Sequence, residues 1–110
     1  MSDLLDSEDA KLLTLARGAR GRISAVQGAA LRDEMGRTYS AATVDNGTLV
    51  ISALDLAVAQ AISAGARGVE AAVVVGGEGV QIDGLRSLAG SGVRVYVCTP
   101  AGVVTDTVLT

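Results

Sequence analysis

Histidine is absent from this 110-residue chain. That removes the commonest general base, the commonest zinc ligand and every Ser-His or Cys-His nucleophilic arrangement. Tryptophan and phenylalanine are absent too, and Tyr39 and Tyr96 are the two aromatic side chains, so little in the chain could stack on a base or a sugar. One cysteine, Cys98, excludes an internal disulfide. It sits among apolar neighbours with nothing basic beside it, which reads as a buried, inert thiol rather than a nucleophile. A metal site would have to be built from carboxylates, which suit Mg²⁺ or Ca²⁺ better than Zn²⁺; no cofactor is expected. Basic residues are scattered singly and net charge is −3. Without a basic patch, nucleic acid is excluded as a partner. Eight of the nine basic residues are Arg, which hints at a GC-rich bacterial genome. No apolar run reaches the roughly 18 residues of a membrane span. Residues Met1 to Ala10 are acidic and lack a basic stretch followed by an apolar one, so they are not a signal peptide. A cytoplasmic location is expected.

What is present is aliphatic. Apolar residues make up 49% of the chain and mean hydropathy is +0.43. A chain of this length buries about two-thirds of its unfolded surface alone, and so apolar a composition leaves more outside than a monomer tolerates. The expectation is a homo-oligomer, a dimer or tetramer. Residues 1–6 read as a loose leader and 7–110 as one domain.

Along that domain, Ser7 is placed to cap a helix, with Glu8 and Asp9 in its first turn. Leu12, Leu15, Ala16 and Ala19 recur at helical spacing, and Gly18 and Gly21 should stop the helix near Arg20. A strand begins at Gly28. Asp33-Glu34-Met35-Gly36 reads as a solvated hairpin turn, with Gly36 free to take positive φ, and Thr38 to Val44 returns as a second strand. After a loop at Asp45-Asn46-Gly47, Ser52 to Ala64 is a helix with a Ser52–Asp55 capping pair at its start. Val69 to Val75 is a continuous β-branched and alanine run, the mark of a strand buried on both faces. Gly76, Gly77 and Gly79 follow it. They lack the Gly-Lys-Ser/Thr ending of a phosphate loop and no helix follows directly, so they read as a plain loop. Asp83 can cap a third helix through Ala89, and Val93 to Cys98 is another strand, halted by Pro100 and Gly102. Val103 to Leu109 is either a last strand or a docked tail. The order α-β-β-α-β-α-β points to a mixed sheet with helices on its faces.

Gly28-Ala29-Ala30-Leu31, then Asp33 to Gly36-Arg37-Thr38-Tyr39, then Val44-Asp45-Asn46, with Ala16-Arg17 upstream, resemble the cytidine deaminase family. Its members have a Val-Gly-Ala-Ala strand, an acidic turn with Gly, a second strand and Asn-Val-Glu-Asn. The resemblance runs from about Ala10 to Gly102 and implies a cytidine-deaminase-like α/β/α three-layer sandwich with a mixed sheet. Ile51-Ser52-Ala53-Leu54 falls where the family has Cys-Ala-Glu or His-Ala-Glu opening a helix. Gln81-Ile82-Asp83-Gly84-Leu85-Arg86 falls where it has Pro-Cys-x-x-Cys-Arg.

The family's chemistry needs three zinc ligands and a Glu that shuttles protons while zinc-bound hydroxide attacks cytosine. Those positions are Ser52, Ile82 and Leu85 for the ligands and Leu54 for the Glu. The ribose-binding Asn and Glu correspond to Thr43 and Asp45, vestigial substrate contacts or simply a capped loop end; the Phe beneath the base corresponds to a position near Ala25. Ile82 and Leu85 read as core packing at a former metal site. The expected function is that of a non-catalytic homologue acting through assembly or protein contacts. The alternative is a binding module that keeps a nucleoside-sized pocket without chemistry. An active cytidine deaminase is the third reading, and the missing groups argue against it.

Overall fold

The computed structural model describes residues 5–76 and 79–110. In chain order its elements are α1 (Ser7–Ile23), β1 (Gly28–Asp33), β2 (Thr38–Ala42), β3 (Val44–Asp45), β4 (Val50–Ile51), α2 (Ala53–Ser63), β5 (Val69–Val75), α3 (Asp83–Ala89), β6 (Arg94–Cys98) and β7 (Val104–Leu109). Five strands form one mixed sheet, ordered β2-β1-β5-β6-β7, while β3 and β4 form a separate two-stranded ribbon. Strands β5 and β6 are parallel and joined through α3, the crossover a parallel pair requires. The other neighbours in the sheet are antiparallel.

Period-2 alternation divides the sheet between two cores. On one face Leu12 and Ala16 of α1 pack on Ala30, Ala71, Val73, Val75, Tyr96 and Cys98. On the other, Ala53, Leu54, Ala57, Val58 and Ala61 of α2 and Leu85 of α3 pack on Ala29, Leu31, Ala72, Val74 and Val95. The result is the three-layer α/β/α sandwich with a mixed sheet that the sequence led us to expect. Each fully buried Leu or Val contributes about 1.5–3 kcal/mol. The alanines give less each but let helix and sheet approach closely.

Several local expectations are corrected. Helix α1 runs to Ile23, past Gly18 and Gly21. Both glycines point into open space and are carried by the packing of Ala16 and Ala19 on either side; Ser24, at φ 52°, makes the stop. Asp6, not Ser7, caps this helix, its Oδ1 accepting from the Asp9 amide at 2.8 Å. Leu5 packs against the core; the rest of the expected leader, Met1 to Leu4, lies outside the described residues. Strand β2 ends at Ala42 because Thr43 turns to bond Gln27. Asp45, expected in a loop, pairs with Val50 in the ribbon. Asp83 is the first residue of α3 rather than its cap, and no side chain caps that helix. Within the run Val69–Val75, Glu70 is exposed; Arg32 pairs with Ala71 but Asp33 with Val69, a bulge that turns Glu70 toward Arg32. Residues Val104–Leu109 form a full edge strand on β6. Of the glycine loop after β5, Gly77 and Glu78 lie outside the described residues.

The turn at Asp33 is the largest correction. Asp33 is fully buried. Its Oδ1 accepts from the amides of Met35 at 2.8 Å and Arg37 at 3.0 Å, and its Oδ2 from Arg37 Nε at 2.8 Å and the Tyr39 hydroxyl at 2.9 Å. Burial pushes this carboxyl upward, but the Arg37 amide, the Tyr39 hydroxyl, the Met35 amide and the Arg37 guanidinium outweigh it. They hold the carboxyl below the usual carboxylate range. Gly36 takes φ 80° as the turn requires. Glu34 points the other way, accepting from the Arg67 and Gly68 amides at 3.1 and 3.2 Å, and Arg37 Nη1 donates to the Ala64 carbonyl. These contacts fix the C-terminal end of α2 beside the C-terminal end of β1. The N-terminal end of α2 therefore points toward the opposite end of the sheet, where Gly28 pairs with Ala42 and Val75.

Candidate functional site

At that opposite end the chain brings together the first turns of α2 and α3. Ser52 is the N-cap of α2, and its Oγ accepts from the Asp55 amide at 3.1 Å. The Asp55 carboxylate turns toward α3 instead of completing the capping pair: a Cβ built on Gly84 would meet Asp55 Oδ1 at 2.5 Å. Only glycine lets the two helices approach this closely. Leu54 and Leu85, at 2% and 0% exposure, are buried in one cluster, and Ile82 packs partly buried against it. The four positions singled out in sequence thus converge, and their meeting point is an aliphatic contact with one hydroxyl at its edge.

The chemistry of this donor set does not fit a zinc ion. Ser52 Oγ is engaged as a helix cap, and Leu54, Ile82 and Leu85 have no lone pair to offer. Among the described residues no group of three or more His, Cys, Asp or Glu side chains could hold a metal ion. Leu54 occupies the position of the proton-shuttling Glu; the carboxylates of these two first turns, Asp55 and Asp83, belong to exposed residues, and Asp55 Oδ1 lies against Gly84 of α3.

The ribbon places Thr43 and Asp45 beside this corner, since Val44 pairs with Ile51 and Asp45 with Val50, close ahead of Ser52 in the chain. The Thr43 hydroxyl accepts from the Gln27 amide at 3.0 Å and donates to its carbonyl at 3.3 Å. Asp45 is exposed, and its Oδ1 accepts from the Gly47 amide at 3.0 Å. Ala25 lies in the bend that follows α1. Cys98 is buried at 3% exposure, and burial pushes its thiol up, away from the reactive thiolate.

Sequence reasoning missed a second polar assembly, at the Asp33 end of the sheet and on the α1 face. Arg32 Nε donates to Glu70 Oε1 at 2.6 Å and Arg32 Nη2 to Asp9 Oδ1 at 2.9 Å. The signal was present in the sequence: Glu70 puts a charge inside an otherwise apolar strand, and Arg32 follows an apolar run just before Asp33.

A family model described as cytidine deaminase-like matches residues 5–102. Among solved structures, cytidine deaminase from Burkholderia pseudomallei superposes with a TM-score of 0.71 at 25% identity, over 100% of this chain and 92% of that one. Cytidine deaminase from Mycobacterium leprae gives a TM-score of 0.72 at 17% identity, over 94% of each chain, a likeness that speaks to fold alone. No curated protein matches the sequence. No helix among the described residues is long and apolar enough to cross a membrane.

Proposed function

Because the chain belongs to the cytidine deaminase-like family, we propose that it is a non-catalytic member of it, acting through assembly or protein contacts. The observation that carries this reading is the aliphatic closure of the corner between α2 and α3. Leu54 and Leu85 are buried there against each other's helices, and Ile82 seals the edge. Hydrolytic deamination needs an activated water and a proton shuttle, and the positions where the resembled motifs carry the zinc ligands and the Glu hold Ser52, Ile82, Leu85 and Leu54 instead.

Exposed aliphatic surface supports the assembly role. Ile23 and Val26 at the end of α1, Leu49 and Val50 on the ribbon, and Ile62 on α2 are each more than half exposed. Apolar surface of this kind marks contact sites. A dimer or tetramer of this chain is the assembly proposed, in the cytoplasm of a bacterium.

The test is direct. Purified protein, dialysed exhaustively, is assayed for zinc and incubated in excess with cytidine and deoxycytidine under ultraviolet monitoring. We expect no stoichiometric zinc and no turnover. Near one zinc per chain, or turnover that survives repurification, sinks the proposal. Light scattering at micromolar concentration then reads the assembly. A clean monomer removes the assembly role and shifts weight to a nucleoside-binding module built around Thr43 and Asp45. That module should be stabilised against heat by some nucleoside, which an assembly subunit should not be.

A further inference from the structure

Asn46 is the only asparagine in the chain, and Gly47 follows it. Both lie in the exposed loop between β3 and β4. Strand pairing holds that loop closed. Val44 pairs with Ile51 and Asp45 with Val50, and the Asn46 amide donates to the Leu49 carbonyl at 3.2 Å. Gly47 takes φ 89° to make the turn, a conformation that strains a residue with a Cβ. Asp45 and Asn46 both fold their side chains back onto the backbone of this turn.

Those hydrogen bonds fall on the atoms of one reaction. The backbone nitrogen that follows an asparagine can attack the side-chain Cγ and close an imide ring. Negative charge then develops on Oδ1, and the attacking nitrogen must lose its proton. Asn46 Oδ1 accepts from the amides of Thr48 at 3.1 Å and Leu49 at 2.7 Å, which aims backbone donors at the oxygen where that charge develops. The Gly47 nitrogen donates its hydrogen to Asp45 Oδ1 at 3.0 Å, so a carboxylate stands in place as general base. Gly47 has no side chain to shield its nitrogen, and even a Cβ built there would meet nothing within 4 Å. Water reaches this turn freely.

We propose that the turn is a self-modification site, at which Asn46 is converted to aspartate and isoaspartate. The Gly47 nitrogen bonds to Asn46 Cγ as its proton passes to Asp45. The Cγ–Nδ2 bond then breaks, and the proton, returned through water, lets Nδ2 leave as ammonia. A water molecule next opens the imide. Attack at Cγ restores the main chain with aspartate at 46. Attack at the main-chain carbonyl carbon leaves Gly47 joined through Cγ, which is isoaspartate, with one more methylene in the backbone. The reaction consumes water alone and involves no oxidant or reductant. Either product sets a second carboxylate beside Asp45. Isoaspartate also lengthens the chain inside a tight turn whose strands are held in register by Asp45 and Val50.

The test follows the full chain in neutral buffer made with ¹⁸O-labelled water. Intact mass reads the exchange of amide for acid, peptide fragmentation places it, and labelling by an isoaspartyl methyltransferase measures isoaspartate. The same chain held unfolded in guanidinium chloride supplies the reference rate, because it keeps the Asn-Gly pair and loses the turn. We expect labelled oxygen to enter at Asn46 with release of ammonia, at least about tenfold faster in the folded chain than in the unfolded one. Asp45→Ala should slow the folded chain by about tenfold or more. Asp45 is exposed, so this variant should keep the fold, and a thermal melt checks that it does. Asn46→Ser should take up no label. A folded chain that reacts no faster than the unfolded one overturns the proposal. So does an Asp45→Ala variant that reacts as fast as its parent.

Discussion

Asp33 and Leu54 are both out of contact with water, one a carboxylate and the other an alkyl chain standing where the resembled motif has a carboxylate. Around Asp33 both oxygens are fully used, by two amides, a guanidinium and a hydroxyl. Leu54 lies instead in an aliphatic cluster, among the described residues, that includes Leu85 and the alanines of α2, with Ile82 packed against it. A buried polar group is retained here when its partners come from its own turn, where folding supplies them without help. Such a group is missing where its partners would have to be a metal and a substrate.

That contrast is broken most forcefully at Asp33. Replacing it by Ala strands the Met35 and Arg37 amides and the Tyr39 hydroxyl and leaves Arg37 unpaired. We expect a loss of about 3–4 kcal/mol, the lower part of the range for breaking a buried charge pair, because Arg37 is half exposed and can rehydrate. Urea unfolding of both proteins measures it. The same carboxyl gives the protein an acid limb. Its pKa is depressed on folding, so its stabilisation is fully present above the ordinary carboxylate value, about 3.9. It is lost as pH falls from there through the folded value. Asp33→Asn should flatten the stability profile from about pH 4 downward, where this carboxyl takes up its proton; an unchanged slope there would assign the acid limb to other carboxylates.

The contrast is sharpened by putting a carboxylate back at the other end. Leu54→Glu forfeits the burial of a leucine, about 2 kcal/mol, and adds the desolvation of a charge with no partner. Its place in the first turn of α2 returns part of that through the helix dipole, at most about 1 kcal/mol. We expect a net loss of about 2–3 kcal/mol, with the introduced carboxyl titrating above its ordinary range. Combining it with Ser52→Cys, Ile82→Cys and Leu85→Cys should destabilise the protein before it activates it. Thermal unfolding and cytidine turnover, measured together, decide this, and turnover without a fall in stability would count against the reading of the corner as a packed core.

The order of elements along the chain and the buried faces of the helices followed from periodicity, because burial acts on every turn of a helix and every second residue of a strand; the three layers were implied by the family resemblance. The convergence of Ser52, Leu54, Ile82 and Leu85 was implied by the resemblance to cytidine deaminases, whose zinc and Glu motifs fall at these positions. Asp33 was misjudged because a carboxylate in a turn looks solvated unless its four donors are seen folding back on it. Glu70 and Arg32 were missed because the bulge that joins them exists only in the pairing of β1 with β5, and sequence periodicity does not reveal pairing. Asp6 was passed over because Ser7, one residue on, is an equally good cap in composition. The choice between them was made by where Leu12 and Ala16 meet the sheet.

The smallest effect separates a helix cap from a metal ligand at one atom. Ser52 Oγ satisfies the Asp55 amide, one of the four N–H groups a helix start leaves open. Ser52→Ala removes it and should cost about 1 kcal/mol. Ser52→Cys restores the element that the resembled motif carries at this position, but a thiol is a weak acceptor and caps poorly. If the residue serves only as a cap, the two variants should lose stability alike, and neither should be stabilised by added zinc. If the corner retains metal-binding character, Ser52→Cys alone should rise in melting temperature with zinc, through linkage of binding to folding. Parallel melts of the two variants, with and without zinc, read this difference in one experiment. We expect all four Cys and Ala curves to fall together below the parent protein.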